Sequence, residues 1–135
     1  YPYLEEHADA WLSVVAGKDG VMDFAIASES ETIGGIGLVP KDDVHRKSVE
    51  LGYWLAEPFW GKGIMTSAVG NITSYAFDTL DIVRIYSTIF EWNHASMKVL
   101  EKVGFIREGH LRKSAFKDGH LIDQFVYALI LQKAK

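Results

Sequence analysis

The 135-residue sequence contains no cysteine. Disulfide bonds, thiolate metal sites and a cysteine nucleophile are therefore excluded. The absence of cysteine is compatible with a reducing compartment, and we expect a cytoplasmic location. Basic residues are not in excess: the sequence has 14 Lys and Arg residues and 18 Asp and Glu residues, which gives a formal net charge of −4. This balance argues against a general nucleic-acid-binding surface. No apolar run is long enough to cross a bilayer, so no membrane partner is expected.

The composition of the sequence is typical of a globular protein. Hydrophobic residues make up 48% and charged residues 24% of the chain, as in ordinary soluble proteins. The length fits one domain over residues 1–135 with a single core. The sequence begins at Tyr1 rather than at methionine, so we expect that it was trimmed or that further residues precede it.

The central stretch of the chain predicts a strand, a turn and a helix. Apolar residues alternate with others over 49–55, which is the period of a strand. Pro58 then ends the strand, because it has no N–H for a ladder. Gly61 and Gly63 form a short turn. Apolar residues at helical spacing from Ile64 to Ala76 predict the helix that follows.

A turn of this kind favours binding of a phosphate or pyrophosphate. The first amides of a helix have no partner within it, and the helix dipole adds partial positive charge there. Gly61 and Gly63 lack a Cβ, so that a bulky anion can approach the backbone. Lys62 adds a cation and Thr66 a hydroxyl. A simple tight turn would explain the glycines equally well, since neither common phosphate-loop pattern is complete here.

The remaining elements follow from the same patterns. An apolar stripe over residues 4–15, stopped by Gly17, predicts a first helix. Strands are predicted over 22–27, 32–39 and 83–90, a helix from the Asn93 cap to about Val103, and a final hairpin of 105–116 and 121–131. Residues 28–31 are a polar turn, 41–47 a charged loop and 117–120 the hairpin turn. Three glycines within 32–39 indicate either bulges or close approach of another backbone or a ligand.

Three blocks of this sequence resemble the GNAT superfamily of acetyl-CoA-dependent N-acetyltransferases. They are ELGYWLAEPFWGKGIMTSAV (50–69), NHASMKVLEKVGFIREG (93–109) and DGHLIDQFVYALIL (118–131). The resemblance is to the branch named for the RimJ and RimL ribosomal-protein N-terminal acetyltransferases, and it covers most of 33–131. The element order predicts an α/β class with a mixed central sheet and helices on both faces. The family normally has a strand before the first helix, and we expect that strand to be absent from this sequence.

The resemblance implies acetyl-CoA as cofactor. The family motif, Gln/Arg-x-x-G-x-Gly/Ala, falls on Trp60 to Met65; Gly63 matches, whereas Trp60 and Met65 depart from it. The residues implied to hold the pyrophosphate are Gly61, Lys62, Gly63, Ile64, Met65 and Thr66. Asn93 and Ser96 are implied to hold the pantetheine arm, although Asn93 is equally explained as a helix cap.

The resemblance also implies direct transfer of acetyl from the thioester to an amine, in a gap where two neighbouring strands splay. The oxyanion would be faced by the backbone amide of Trp54 or Leu55, a choice that the sequence leaves open. Glu50 is the candidate base, through water; a solvated strand glutamate is the alternative. Ser96 is the candidate acid that protonates the leaving thiolate. Alternatively, Ser96 only orients the thiol, or its hydroxyl makes a local hydrogen bond to the backbone of the first helical turn.

The function expected from these residues is N-acetylation of a primary amine, on a protein N-terminus or a small molecule. A non-catalytic acyl-CoA-binding domain is the main alternative, and an ATP-binding domain is a weaker one. The histidines are too irregularly spaced to predict a metal site. Asp123 and Tyr127 match the D-x-x-x-Y pattern of the branch and are interpreted as structural. The chain is expected to be a monomer, or a homodimer through the final strands.

Overall fold

The computed structural model describes residues 4–7, 10–15, 21–28 and 31–132. Its strands and helices, in chain order, are β1 Leu4–His7, β2 Ala10–Val15, β3 Met22–Ser28, β4 Glu31–Pro40, β5 Ser48–Leu55, α1 Ile64–Thr79, β6 Arg84–Phe90, α2 His94–Val103, β7 Ile106–Lys117 and β8 His120–Ile130. Short 3-10 helices at Asp43–His45 and Glu57–Phe59 precede β5 and α1 respectively.

The eight strands form one mixed sheet in the order β1-β2-β3-β4-β5-β6-β8-β7. Every neighbouring pair is antiparallel except β5 and β6, which run parallel. Parallel neighbours need a crossover connection, and α1 provides it. The predicted mixed α/β class is therefore confirmed.

The predicted first helix over 4–15 is wrong, because the described parts of this stretch form β1 and β2. Positions 11 to 15 of β2 pair with positions 27 to 23 of β3. A short segment is a marginal helix on its own, whereas pairing with an open strand edge satisfies its backbone groups. Ala8 and the predicted stop at Gly17 lie outside the described residues.

The other predicted elements are confirmed, with ends that differ by up to three residues. The 117–120 turn contains Asp118 and Gly119, both with positive φ (51° and 79°), as a two-residue hairpin turn requires. Residues 29 and 30 of the predicted polar turn lie outside the described part of the chain. The 41–47 loop contains a single 3-10 turn.

One face of the sheet carries the core. Alternate positions of β3 to β6, such as Phe24, Ile36, Leu51 and Ile85, join residues of both helices in a single buried cluster. Helices α1 and α2 therefore lie on the same face, and residues 21–28 and 31–132 place no helix on the other. The expectation of helices on both faces is not met in this part of the chain. Neither helix is long and apolar enough to cross a membrane.

The glycines of β4 reflect both of their predicted causes. The register passes from Ile26↔Gly34 to Ala27↔Thr32, which leaves Ile33 as a bulge. A Cβ added to Gly34 would lie 2.6 Å from the carbonyl oxygen of Trp54. Strand β5 thus approaches Gly34 too closely for any side chain there.

Candidate active site

Strands β5 and β6 part soon after they meet. Their parallel pairing covers three positions and ends at Glu50↔Tyr86, although β5 continues to Leu55 and β6 to Phe90. Just beyond the last pair, the buried Ser87 hydroxyl donates a 2.8 Å hydrogen bond to the Leu51 carbonyl. Beyond this point the two strands share no ladder pairs, and we call the space between them, up to Leu55 and Phe90, the cleft.

The alternation of the β4–β5 ladder decides which amides face this cleft. The Ala56 amide donates a 2.8 Å hydrogen bond to the Ile33 carbonyl, on the β4 side. The β4–β5 register runs without a shift from there, and amides of an antiparallel strand point alternately to its two edges. The Trp54 amide therefore points to β4, and the Leu55 amide points into the cleft. The Leu51 carbonyl, which meets Ser87 on the β6 side, agrees with this alternation.

The N-terminus of α1 lies in the turn that follows β5. Gly61 and Gly63 have φ of 74° and 78°, a left-handed conformation that favours glycine. Gly63 is the N-cap, and no side chain caps the helix. The amides of the first turn, from Ile64 to Thr66, are therefore suited to an external anion. The exposed Lys62 lies beside them, its Nζ 5.7 Å from the Phe59 ring centroid.

Trp60 has a contact that sequence reasoning missed. Its indole Nε1 donates a 2.6 Å hydrogen bond to the Leu55 carbonyl, although its side chain is largely exposed. The bond links the glycine turn to the end of β5. The sequence shows only that a residue with an N–H donor occupies this position of the motif.

Ser96 lies in the first turn of α2, where its amide donates to the Asn93 Oδ1 at 3.2 Å. Asn93 therefore caps the helix, as one of its two interpretations predicted. The buried Ser96 hydroxyl lies 2.5 Å from the phenol oxygen of Tyr53. Burial raises the pKa of Tyr53 to about 12, against the opposite effect of its hydrogen bond to Ser96. The alternation of β5 indicated that Tyr53 faces the core, but it did not reveal that Ser96 is its hydrogen-bond partner.

Glu50 lies on the other face of the sheet. Its neighbours Val49 and Leu51 face the core, so the Glu50 side chain points away from the helices. Its Oε1 forms a 3.1 Å ion pair with the Lys41 Nζ. That hydrogen bond first, and one to Tyr86 second, raise the pKa of Lys41. The structure thus places the two candidate catalytic residues, Glu50 and Ser96, on opposite faces of the sheet.

Other places in the described chain offer less chemistry. No three His, Asp or Glu side chains among residues 21–28 and 31–132 are grouped as a metal site. A cavity of about 160 Å³ lies between Leu38, Val49 and Ile82. It is at the opposite end of β5 from Leu55 and contains none of the predicted site residues.

The comparisons with known proteins agree with this geometry. Residues 1–106 match the family model of the acetyltransferase (GNAT) domain, so the chain belongs to the GNAT acetyltransferase family. The members of this class are acetyl-CoA-dependent acetyltransferases.

Its relatives support the RimJ/RimL-like branch within that class. The chain is 33% identical over 128 residues to the Bacillus subtilis (strain 168) protein named "Putative ribosomal N-acetyltransferase YdaF", covering 95% of this chain and 69% of that protein. The ribosomal-protein-S5-alanine acetyltransferase structure from Vibrio fischeri matches with a TM-score of 0.80 and 26% identity, covering 85% of this chain and 64% of that one. The structure of RimL, a ribosomal L7/L12 alpha-N-protein acetyltransferase in complex with coenzyme A, matches with a TM-score of 0.76 and 26% identity. The match covers 82% of this chain and 62% of that one. The chain thus spans less than two thirds of both solved structures.

Proposed function

We propose that this chain carries the active site of an acetyl-CoA-dependent N-acetyltransferase. The observation that carries the proposal is the cleft between β5 and β6, which the Leu55 amide faces. The uncapped N-terminus of α1 follows β5 after the 3-10 helix Glu57–Phe59 and the glycine turn. A diphosphate held at that helix end and a thioester carbonyl facing a fixed amide are the two needs of this reaction.

The cofactor would be held by the backbone more than by side chains. The residues proposed for the pyrophosphate are Gly61, Lys62, Gly63, Ile64, Met65 and Thr66. The pantetheine arm would lie in the cleft and reach Asn93 and Ser96 at the start of α2. The Leu55 amide would donate to the oxyanion of the tetrahedral intermediate, since the Trp54 amide points to β4.

Glu50 remains our candidate for the base, acting through a water molecule. Its carboxylate is paired with Lys41 and lies at the vertex of the cleft, on the face of the sheet that α1 and α2 leave open to an acceptor amine. We expect Glu50→Gln to lower kcat by about a hundredfold. Glu108→Gln is the matched control, because Glu108 is also paired with a cation, Arg84, at 2.7 Å.

The acceptor we propose is the amine at a protein N-terminus. The relatives named for ribosomal acetylation support this choice. A small-molecule amine is the other acceptor that this chemistry admits. Acetyl-CoA turnover with a panel of short peptides and small amines decides between them. Turnover on peptides but not on their N-terminally blocked forms is the expected result; turnover on small amines alone would contradict it.

The cofactor site is tested by charge reversal beside the glycine turn. Lys62→Glu should raise the KM for acetyl-CoA roughly tenfold, equivalent to about 1.4 kcal/mol, because it places an anion beside the pyrophosphate. Lys117→Glu, at the far end of the hairpin, should leave this KM unchanged. An equal effect of both variants would argue for a general charge effect and against the site.

A second candidate function is acyl-CoA binding without catalysis. The observation that favours it is Trp60, whose side chain is bonded to the Leu55 carbonyl within the turn. Calorimetry distinguishes the two functions: binding of acetyl-CoA with no transfer to any amine supports the binding domain. Transfer to any amine excludes it.

A further inference from the structure

A side-chain contact crosses the cleft on the helix face of the sheet. Tyr53 lies in β5, two residues before Leu55, and Ser96 lies in α2, the helix that follows β6. The two hydroxyl oxygens are 2.5 Å apart. Ser96 is 9% exposed, so its hydroxyl has few partners other than Tyr53 and whatever occupies the cleft.

Either hydroxyl can be the donor in this hydrogen bond. The Tyr53 phenol has one hydrogen and two oxygens of Ser96 within reach, the hydroxyl and, at 3.2 Å, the carbonyl. A carbonyl inside an α-helix already accepts from the amide four residues later. In the arrangement in which the phenol donates to the nearer hydroxyl oxygen, the hydrogen of Ser96 itself stays available. Because burial raises the pKa of Tyr53 to about 12, the phenol keeps its proton at neutral pH.

We propose that Tyr53 is a positioning residue, which holds the Ser96 hydroxyl with its hydrogen directed at the sulfur of coenzyme A. This inference rests on the proposed function. During transfer, the amine nitrogen forms a bond to the acetyl carbon, the carbon–sulfur bond breaks, and its electron pair stays on sulfur. The Ser96 hydroxyl donates a hydrogen bond to that thiolate. The proton of the amine goes to the base, and no proton leaves Tyr53.

The test compares binding of coenzyme A and desulfo-coenzyme A, in which a hydrogen replaces the thiol. Both are titrated by calorimetry at about pH 9, where more of the thiol is ionised than at neutral pH. The proteins are wild type, Tyr53→Phe, Ser96→Ala, the double variant and Tyr127→Phe. Tyr127 is a matched control, because its buried hydroxyl also makes hydrogen bonds, to Arg107 and Glu101.

We expect wild type to bind coenzyme A more tightly than the desulfo analogue. Tyr53→Phe should lose roughly fivefold to tenfold of this preference, as for a hydrogen bond to a charged group, and keep its affinity for the analogue within about twofold. Ser96→Ala should lose the same part of the preference, and the double variant should lose no more than either single variant. Tyr127→Phe should keep the preference.

Two results would overturn the inference. If Tyr53→Phe weakens the binding of both ligands by the same factor, Tyr53 has only a structural role. If the preference is unchanged, the Ser96 hydrogen points to Tyr53 and not to sulfur. Should Tyr53→Phe fail to fold, fluorotyrosine at position 53 replaces it: a more acidic phenol should increase the preference, and an unchanged preference would contradict the proposal. Wild type that binds neither ligand would instead overturn the proposed function.

Discussion

The indole Nε1 of Trp60 donates a 2.6 Å hydrogen bond to the carbonyl of Leu55. Leu55 is the last residue of β5, and its own amide points into the cleft between β5 and β6. The bond therefore connects the glycine turn before α1 to the residue proposed to face the oxyanion. In the family motif this position is usually Gln or Arg, whose side chains can also donate hydrogen bonds.

Removal of this bond should weaken cofactor binding more than it changes stability. Trp60→Phe keeps an aromatic ring but leaves the Leu55 carbonyl without this donor. We expect the Kd for acetyl-CoA to rise roughly threefold to tenfold, as for the loss of one hydrogen bond. Calorimetry measures this, with Trp92→Phe as the control, because Trp92 is a similarly exposed indole. An unchanged Kd for Trp60→Phe would show that the turn does not depend on the indole.

The glycines of the sheet should differ sharply in their tolerance of a methyl group. A Cβ on Gly34 would lie 2.6 Å from a backbone oxygen of Trp54, whereas one on Gly52 would meet nothing within 4 Å. We expect Gly34→Ala to lower the free energy of unfolding by about 1–3 kcal/mol. Gly52→Ala should leave it unchanged or raise it by up to about 1 kcal/mol. Urea unfolding of both variants checks this; equal values would contradict the close approach of β4 and β5.

The vertex of the cleft should depend on one buried hydroxyl. Ser87 donates to the Leu51 carbonyl at 2.8 Å and is 3% exposed. Because Ser87→Ala leaves this carbonyl without its donor, we expect a loss of about 1–3 kcal/mol in the free energy of unfolding. Ser74→Ala, on the exposed side of α1, should be close to neutral. If both variants unfold at the same urea concentration, the hydroxyl does not stabilise the point where the strands part.

The final hairpin should contribute a pH-dependent part of the stability. The Lys113 amide donates a 2.8 Å hydrogen bond to the Asp123 carboxylate, and the His110 Nε2 lies 2.7 Å from its other oxygen. These contacts, the Lys113 amide first, lower the pKa of Asp123 from its usual 3.8. A carboxyl whose pKa falls on folding stabilises the folded state above its unfolded-state pKa. This stabilisation is lost as the pH falls through the folded-state value.

We therefore expect Asp123→Asn to unfold at a lower urea concentration than wild type at about pH 7, and the difference to close as the pH falls below about 3.8. Urea midpoints across this range provide the measurement. Asp78→Asn, which changes an exposed aspartate of α1, should show no such closing difference. A difference between Asp123→Asn and wild type that stays constant with pH would mean that the carboxylate charge is not what stabilises the hairpin.

The sequence predicted the elements that depend on local patterns. The alternation over 49–55, the glycines at positive φ and the cap of Asn93 each define a conformation from neighbouring residues alone. The resemblance then predicted the splayed strands and the uncapped helix end that follows them. The same local argument failed over 4–15, where an apolar stripe at helical spacing forms strands, because pairing with β3 is a long-range interaction.

By itself, the sequence determined the family, the order of elements from β3 onward, and the turn proposed to bind the diphosphate. Only the tertiary structure decided that the Leu55 amide, and not that of Trp54, faces the cleft, because strand register sets the direction of each amide. It also paired Tyr53 with Ser96, 43 positions apart, and Glu50 with Lys41 across the β4–β5 connection. Contacts between distant segments follow from how strands and helices pack, and no local pattern in the chain records that packing.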